Sequence, residues 1–311
     1  MTPTEQIIGH AGILRQLQEA AKSRPHHAYL FVGPEHIGKS MVADHLARLL
    51  LCETHQGCGA CAHCLLVAAG NHPDYHRVSE EKLGIDDIRK LKSDFTLTPH
   101  SAPYRVAVMP GADRLGIPAQ NAILKLLEEP PGHTVLILTA PSEHSMLPTT
   151  VSRCQLIRFG LPTQEELQTG LGTEAGPVED AIRAAGRRPG LAKRLLADES
   201  AMAERGTWEK ILEQVVNADA AERLRIAGEL AKDDALADIL ESWLALHQEA
   251  LHGEITDNNN NLSSCATTLA RMYTEPQLRH NITSLFDAIK RLRYNPNVQL
   301  LAEQTLLTLG E

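Results

Sequence analysis

The chain has 311 residues, of which 43% are hydrophobic, 22% are charged and only 4% are aromatic. That length suffices for two or three compact units, and the composition is typical of a globular protein with a mainly aliphatic core. The net charge of -9 argues against binding nucleic acid through overall positive charge. No segment is apolar enough to span a membrane and the first residues lack a signal core, so we expect a cytoplasmic protein.

Strands and helices are predicted to alternate over the first half of the chain. Apolar runs predict strands at 28–32, 74–78, 105–109, 134–139 and 155–159. Helical patterns lie between them, at 40–51, 85–94, 118–129 and, as a short turn, 147–152. Such alternation predicts an α/β fold, in which helices cover both faces of a parallel sheet.

The pattern becomes purely helical after residue 161. Thr163 and Glu166 have the spacing of a capping box, which predicts the start of a helix. We expect domains at 1–160, 161–204 and 205–311, with a cysteine-rich knuckle at 52–64 inserted in the first. The polar stretch 257–261 is interpreted as an exposed loop in the last domain.

A phosphate-binding loop follows the first predicted strand. Gly33, Gly38, Lys39 and Ser40 fit the pattern G-x-x-x-x-G-K-[ST] between a strand and a helix, which is the context that the motif requires. Backbone N–H groups would face the phosphates, Lys39 would reach the outer phosphates and Ser40 would coordinate Mg²⁺. The sequence thus predicts an ATP or ADP site, although a loop of this kind can also persist for packing alone.

The acidic residues that would complete an ATPase are missing from their usual place. A second strand should end in carboxylates that hold Mg²⁺ and activate water, but the strand at 105–109 is followed by Pro110 and Gly111. Asp113 lies four residues past that strand, and Glu128 and Glu129 are interpreted as a solvated helix end. We therefore expect a chain that can hold a nucleotide without cleaving it.

Four cysteines lie within thirteen residues, at Cys52, Cys58, Cys61 and Cys64. Four soft ligands at short spacing predict a structural, tetrahedral Zn²⁺ site. An iron–sulfur cluster has overlapping spacings and is the main alternative, and free or redox-active thiols are the other. Cys154 and Cys265 stand apart and are interpreted as core thiols.

Two groups of arginines are candidates for contacting a nucleotide. Arg153, at the end of a short helix on the rim of the fold, could neutralise charge on a phosphate held by a neighbouring subunit; the alternative is an ordinary surface arginine. Arg187 and Arg188 precede Pro189 where a nucleotide-dependent lid would place a sensing arginine, but a solvated turn is the favoured interpretation.

Taken together, these motifs resemble those of the clamp-loader branch of the AAA+ superfamily. The resemblance covers most of the chain and is most specific at Asn121–Pro131 and at Ser152-Arg153-Cys154. Other matching segments are Ile8-Gly9-His10, the approach to the phosphate loop at 27–33, the cysteine knuckle and the C-terminal run 297–307. The phosphate loop is complete here, whereas it is often degenerate in the subunit type that the chain resembles.

The resemblance implies a role in an assembly. It implies a nucleotide-fold domain, a helical lid and a helical collar that joins gamma/tau and delta subunits of DNA polymerase III in a five-membered ring. Arg153 would act in trans on the ATP of the adjacent subunit, while the ring places a sliding clamp on primer–template DNA. The chain itself would be a rigid stator with no catalytic activity of its own.

Two other functions compete with this one. An active gamma/tau-type clamp-loader ATPase would need an acidic pair at the tip of the strand 105–109, which Pro110 and Gly111 do not supply. A zinc-dependent DNA-binding module would need a basic surface near the knuckle, but residues 52–64 contain no lysine or arginine. The DNA-binding module is therefore ranked last.

Overall fold

The computed structural model describes residues 7–78, 85–95, 99–130, 132–172, 176–256, 262–292 and 296–309. The chain forms two compact units: unit 1 is Met1–Gly172 with Arg188–Gly190, and unit 2 is Thr173–Arg187 with Leu191–Glu311. The predicted loop at 257–261 lies outside the described residues. The three-domain division stays a prediction; its limit at residue 204 falls within the continuous helix Glu199–Asn217.

Unit 1 is built on a parallel sheet of five strands in the order β2-β3-β4-β1-β5. The strands are β1 (Ala28–Val32), β2 (Tyr75–Arg77), β3 (Arg105–Met109), β4 (Thr134–Ala140) and β5 (Gln155–Arg158). Its helices are α1 (Ala11–Lys22), α2 (Lys39–Leu51), α3 (Ala62–Ala68), α4 (Ile85–Phe95), α5 (Ile117–Glu128), α6 (Pro148–Val151) and α7 (Gln164–Leu171).

Both faces of the sheet are covered, and β1, β3 and β4 are accordingly buried along their whole length. Tyr29 and Phe31 of β1 belong to a core that includes residues of α1 and α2. Leu30 and Val32, which alternate with them, belong to a second core with residues of α4 and α5. Since successive side chains of a strand point to opposite faces, each apolar residue of β1 meets a helical layer. The predicted α/β class is confirmed.

The capping box at the start of α7 is also confirmed. The Glu166 N–H donates to Thr163 Oγ1 at 3.1 Å, and the Thr163 N–H donates to Glu166 Oε2 at 2.8 Å. These reciprocal bonds satisfy two backbone donors that the first turn would otherwise leave without partners. The helical part of the chain therefore begins where the sequence predicts it.

Helices are the only regular secondary structure among the described residues of unit 2. Helix α9 (Pro189–Ala197) begins within the short segment assigned to unit 1. The other helices are α8 (Pro177–Ala184), α10 (Glu199–Asn217), α11 (Ala220–Leu230), α12 (Leu236–Thr256), α13 (Ser264–Met272), α14 (Glu275–Leu292) and α15 (Val298–Thr308). Helices α10 to α15 share a core that includes Trp208 and Trp243, and the Trp243 Nε1–H donates to the Trp208 carbonyl at 2.9 Å. None of the helices described in either unit is both long and apolar enough to cross a membrane.

Candidate nucleotide site, metal centre and rim arginine

The phosphate loop leaves the carboxyl end of β1, which is hydrogen-bonded to β4 on one side and β5 on the other. Gly33 has φ of 153°, and a Cβ there would lie 2.7 Å from the Phe159 carbonyl oxygen. Gly38 has φ of 103° and caps α2. Both positions have a positive φ that favours glycine. Gly33 also has no room for a Cβ, because the Phe159 backbone lies so close. The motif thus has the geometry of a phosphate loop. It lies at the carboxyl ends of the strands, where parallel α/β folds bind ligands.

Lys39 is buried at the start of α2, although its side chain is charged. Its ammonium group donates to the Gly33 carbonyl at 2.7 Å and to the Pro34 carbonyl at 2.6 Å. The loop therefore holds the ammonium group against its own backbone. A phosphate bound at the loop would meet a cation already in place.

A cavity of about 290 Å³ opens beside the loop. It is lined by Lys39 and Ser40, by Thr139 at the end of β4, and by Gly111 and Asp113, which follow β3. The fold thereby brings Asp113 to the cavity wall, whereas its distance along the chain from β3 suggested that it lay too far away. This proximity could be found only from the structure, because a 3-10 turn at Ala112–Arg114 folds the segment back.

The end of β3 differs from that of a complete ATPase. Gly111 has φ of 64°, and its N–H donates to Thr139 Oγ1 at 3.2 Å. Arg114 follows three residues later, and its Nη2 lies 3.8 Å from Oε1 of Glu35 in the phosphate loop. The two positions directly after the strand, Pro110 and Gly111, thus supply no side-chain oxygen for Mg²⁺.

Gly190, at the start of α9, contacts the backbone of the phosphate loop. The Gly190 N–H donates to the His36 carbonyl at 2.8 Å, and a Cβ on Gly190 would lie 2.9 Å from that oxygen. Gly190 lines the cavity, while Arg187 and Arg188 do not belong to its described lining. The interpretation of these arginines as a solvated turn holds for Arg187, which is exposed, but it is wrong for Arg188, which is buried.

Arg153 lies on the rim of unit 1, just after α6. Its Nη1 donates to the Thr149 carbonyl at 2.9 Å, and its Nη2 lies 2.8 Å from Glu128 Oε1 at the end of α5. The pair is partly solvent-exposed, 36% for Arg153 and 49% for Glu128. Glu128 was expected to be a solvated helix end, and nothing in the sequence signals its pairing with a residue 25 positions away.

An open cavity of about 410 Å³ adjoins this ion pair. It is lined by His26, His27, Leu127, Glu128, Ser152, Arg153 and Cys154. Burial raises the pKa of the Cys154 thiol to about 12, and the residue packs, partly buried, against the core of unit 1. Within the described lining, Arg153 is the arginine that could meet an anion.

The four cysteines of the knuckle converge as their spacing predicts. All four Sγ atoms lie within 4.8 Å of one another. The Cys52–Cys58 and Cys52–Cys61 sulfur distances are 3.6 and 4.0 Å. A tetrahedral Zn²⁺ with Zn–S bonds of about 2.3 Å would separate its sulfurs by about 3.8 Å. The cluster therefore fits one metal ion, while an iron–sulfur cluster distributes its thiolates over several irons.

The surroundings of the sulfurs favour thiolate at Cys52 and thiol at Cys64. Burial alone would raise the pKa of Cys52, but hydrogen bonds from the Thr54 hydroxyl and from backbone N–H groups, that of Cys58 included, lower it to about 5. The pKa of Cys64 is raised to about 12, by burial first and then by the neighbouring cysteines. A bound cation would relieve this repulsion and favour four thiolates. The chemistry of the cluster is compatible with zinc.

Nearby histidines are engaged elsewhere. His63 Nδ1 lies 2.8 Å from His72 Nε2, and His55 Nδ1 lies 3.3 Å from the Leu49 carbonyl oxygen. The described ligand cluster consists of cysteines alone.

The phosphate loop of unit 1 follows β1, an inner strand of a five-stranded parallel sheet, and this is the nucleotide-binding fold of AAA+ proteins. The RuvB Holliday junction branch migration motor of Thermotoga maritima matches with a TM-score of 0.50, over 78% of this chain and 89% of that chain. At 16% identity this likeness shows the fold alone.

Sequence comparisons are more specific. A family model described as "DNA polymerase III, delta subunit" matches residues 9–163. DNA polymerase III subunit delta' of Pseudomonas aeruginosa is 33% identical over 66% of this chain and 67% of that protein. The tau subunit of Bacillus subtilis DNA polymerase III is 30% identical over 79% of this chain, but over only 46% of its own length. The chain belongs to the delta-prime family of DNA polymerase III subunits.

Proposed function

We propose that the chain is a clamp-loader stator that does not hydrolyse nucleotide and that lends Arg153 to the ATPase site of a neighbouring subunit. The observation that carries this proposal is the end of β3, where Pro110 and Gly111 follow the strand and Gly111 lines the same cavity as the complete phosphate loop. Without carboxylates at this position, a bound nucleotide lacks both the acidic ligand of Mg²⁺ and the group that activates water. The exposed guanidinium of Arg153 supports the second half of the proposal.

The proposed partners are gamma/tau and delta subunits in a five-membered ring, which acts on a sliding clamp and primer–template DNA in the cytoplasm. Within the chain we propose a nucleotide-fold domain at 1–160, a lid at 161–204 and a collar at 205–311. Gly33, Gly38, Lys39 and Ser40 would hold ATP or ADP, with Mg²⁺ on the Ser40 hydroxyl. Cys52, Cys58, Cys61 and Cys64 would hold structural Zn²⁺.

The proposal is tested by ATP hydrolysis in the reconstituted loader with clamp and primed DNA. Arg153→Ala should leave folding and assembly intact and slow hydrolysis by about tenfold or more, because arginine fingers supply large factors in rate. The isolated chain should release no phosphate from ATP. A ring containing Arg153→Ala that turned over at the normal rate would remove Arg153 from the mechanism.

A gamma/tau-type ATPase is the second candidate, and one observation favours it. Asp113 lines the same cavity as Lys39 and Ser40, so this cavity does contain a carboxylate that could serve a bound nucleotide. If the isolated chain hydrolysed ATP, and if Lys39→Ala and Asp113→Asn each abolished that turnover, this function would replace the first.

A further inference from the structure

The ion pair between Arg153 and Glu128 joins two segments that the chain places far apart. Glu128 is the last residue of α5, and Arg153 follows α6. We propose that Glu128 is a positioning residue, whose carboxylate orients the Arg153 guanidinium for a phosphate group presented by a neighbouring subunit. This inference rests on the proposed role of Arg153.

The described contacts fix the guanidinium at two points. Nη2 meets Glu128 at 2.8 Å, and Nη1 donates to the Thr149 carbonyl at 2.9 Å and more weakly to the Ser152 hydroxyl at 3.4 Å. A planar group held through both terminal nitrogens has a defined orientation. These contacts occupy three of its five N–H groups, which leaves two for a phosphate oxygen.

Stability does not account for the pair. An ion pair with side chains 36% and 49% exposed contributes only about 0–1 kcal/mol to folding. Orientation has a larger consequence, since an arginine side chain carries about 2 kcal/mol of rotamer entropy. A guanidinium that is ordered before the phosphate arrives avoids part of this cost when the transition state forms.

The local electrostatics select Arg153 as the partner of Glu128. The carboxyl end of α5 carries the negative end of the helix dipole, which favours a cation at this place. His27, which lines the same cavity, has a pKa lowered by burial and then by His26, so it is neutral near pH 7. Glu129 is exposed and adjacent, and among the described ion pairs it has none. It therefore provides a matched control.

The test measures ATP hydrolysis by the loader assembled with each variant of this chain. We expect Glu128→Ala to lower kcat by roughly tenfold with little change in KM, because misplacement of a catalytic group acts on the chemical step. Glu128→Gln keeps an acceptor oxygen and should retain a larger share of the rate. Glu129→Ala should have no effect. Circular dichroism and size-exclusion chromatography verify folding and assembly of each variant.

A double-variant cycle separates positioning from a general structural effect. In the Arg153→Ala background, Glu128→Ala should cause no further loss, because the residue through which it acts is gone. An equal loss in both backgrounds, a normal rate for Glu128→Ala, or a faster rate would each overturn the inference. If Arg153→Ala alone had no effect, the proposed function itself would fail, which is a different outcome.

Discussion

At the scale of single residues, unit 2 contains a histidine in an unusual environment. His247 on α12 is fully buried, its Nδ1 lies 2.8 Å from the Trp243 carbonyl oxygen, and its ring stacks with Tyr273 at 6.2 Å. Its Nε2 has no hydrogen-bond partner in the described structure. Burial lowers the pKa of His247 to about 4, although the hydrogen bond to Trp243 raises it slightly.

This environment predicts a dependence of stability on pH. The unfolded chain binds a proton at His247 near pH 6.5, and the folded chain does so only near pH 4. The contribution of neutral His247 is therefore complete above pH 6.5 and is lost as pH falls towards 4, by up to about 3 kcal/mol. His247→Leu should remove this part of the pH dependence of the urea midpoint.

Tryptophan fluorescence is the appropriate probe, because both tryptophans of the chain lie in unit 2. His280→Leu, at an exposed position on α14, is the control and should leave the pH dependence unchanged. Glu209 and Glu249 have pKa values raised mainly by burial and act in the opposite sense. Comparison with the parent chain cancels their effect. An unchanged slope in His247→Leu would contradict the prediction.

At the scale of elements, the cysteine knuckle connects α2 to α3. Cys52 caps α2 at its carboxyl end, and Cys61 is the N-cap of α3, where its sulfur accepts the Cys64 N–H at 3.5 Å. The Cys58 N–H also donates to Cys52 Sγ at 3.5 Å, and the Cys61 N–H donates to Cys58 Sγ at 3.4 Å. Such N–H···S contacts orient ligands and stabilise thiolates, so the segment has the features of a folded metal knuckle.

We expect the purified protein to contain one Zn²⁺ per chain. Cys58→Ser should lose most of it and should lower the melting temperature, because structural zinc contributes directly to folding. Metal content is measured by mass spectrometry and unfolding by circular dichroism. Cys265→Ser, in the core of unit 2, should keep its zinc. A Cys58→Ser protein with full zinc content would show that the ligand set is different.

At the scale of the whole molecule, charge limits what the chain can do alone. Its 39 acidic residues exceed its 30 lysine and arginine residues by nine. Affinity for DNA depends mainly on cations that neutralise phosphates. We expect the isolated chain to bind primer–template DNA no more tightly than about 0.1 mM at physiological salt, as judged by fluorescence anisotropy. Micromolar, salt-sensitive binding would instead reveal a local basic surface.

Fold class and most element positions could be predicted from the sequence. Strands β1 and β3 match the predicted bounds, and β4 is longer by one residue, because uninterrupted apolar runs identify strands buried on both faces. The phosphate loop and the cysteine cluster could also be predicted, from the glycines of the loop and from the spacing of the cysteines. Their geometry is local, and local geometry is encoded by neighbouring residues.

The sequence by itself therefore determined the α/β and helical parts, the phosphate loop, the cysteine cluster and the missing acidic pair at the end of β3. Only the tertiary structure decided that Asp113 lines the nucleotide cavity and that Glu128 holds Arg153. Both features depend on how loops and helix ends pack around the sheet. Periodicity records which face of an element is buried, but it does not record which distant side chains meet there.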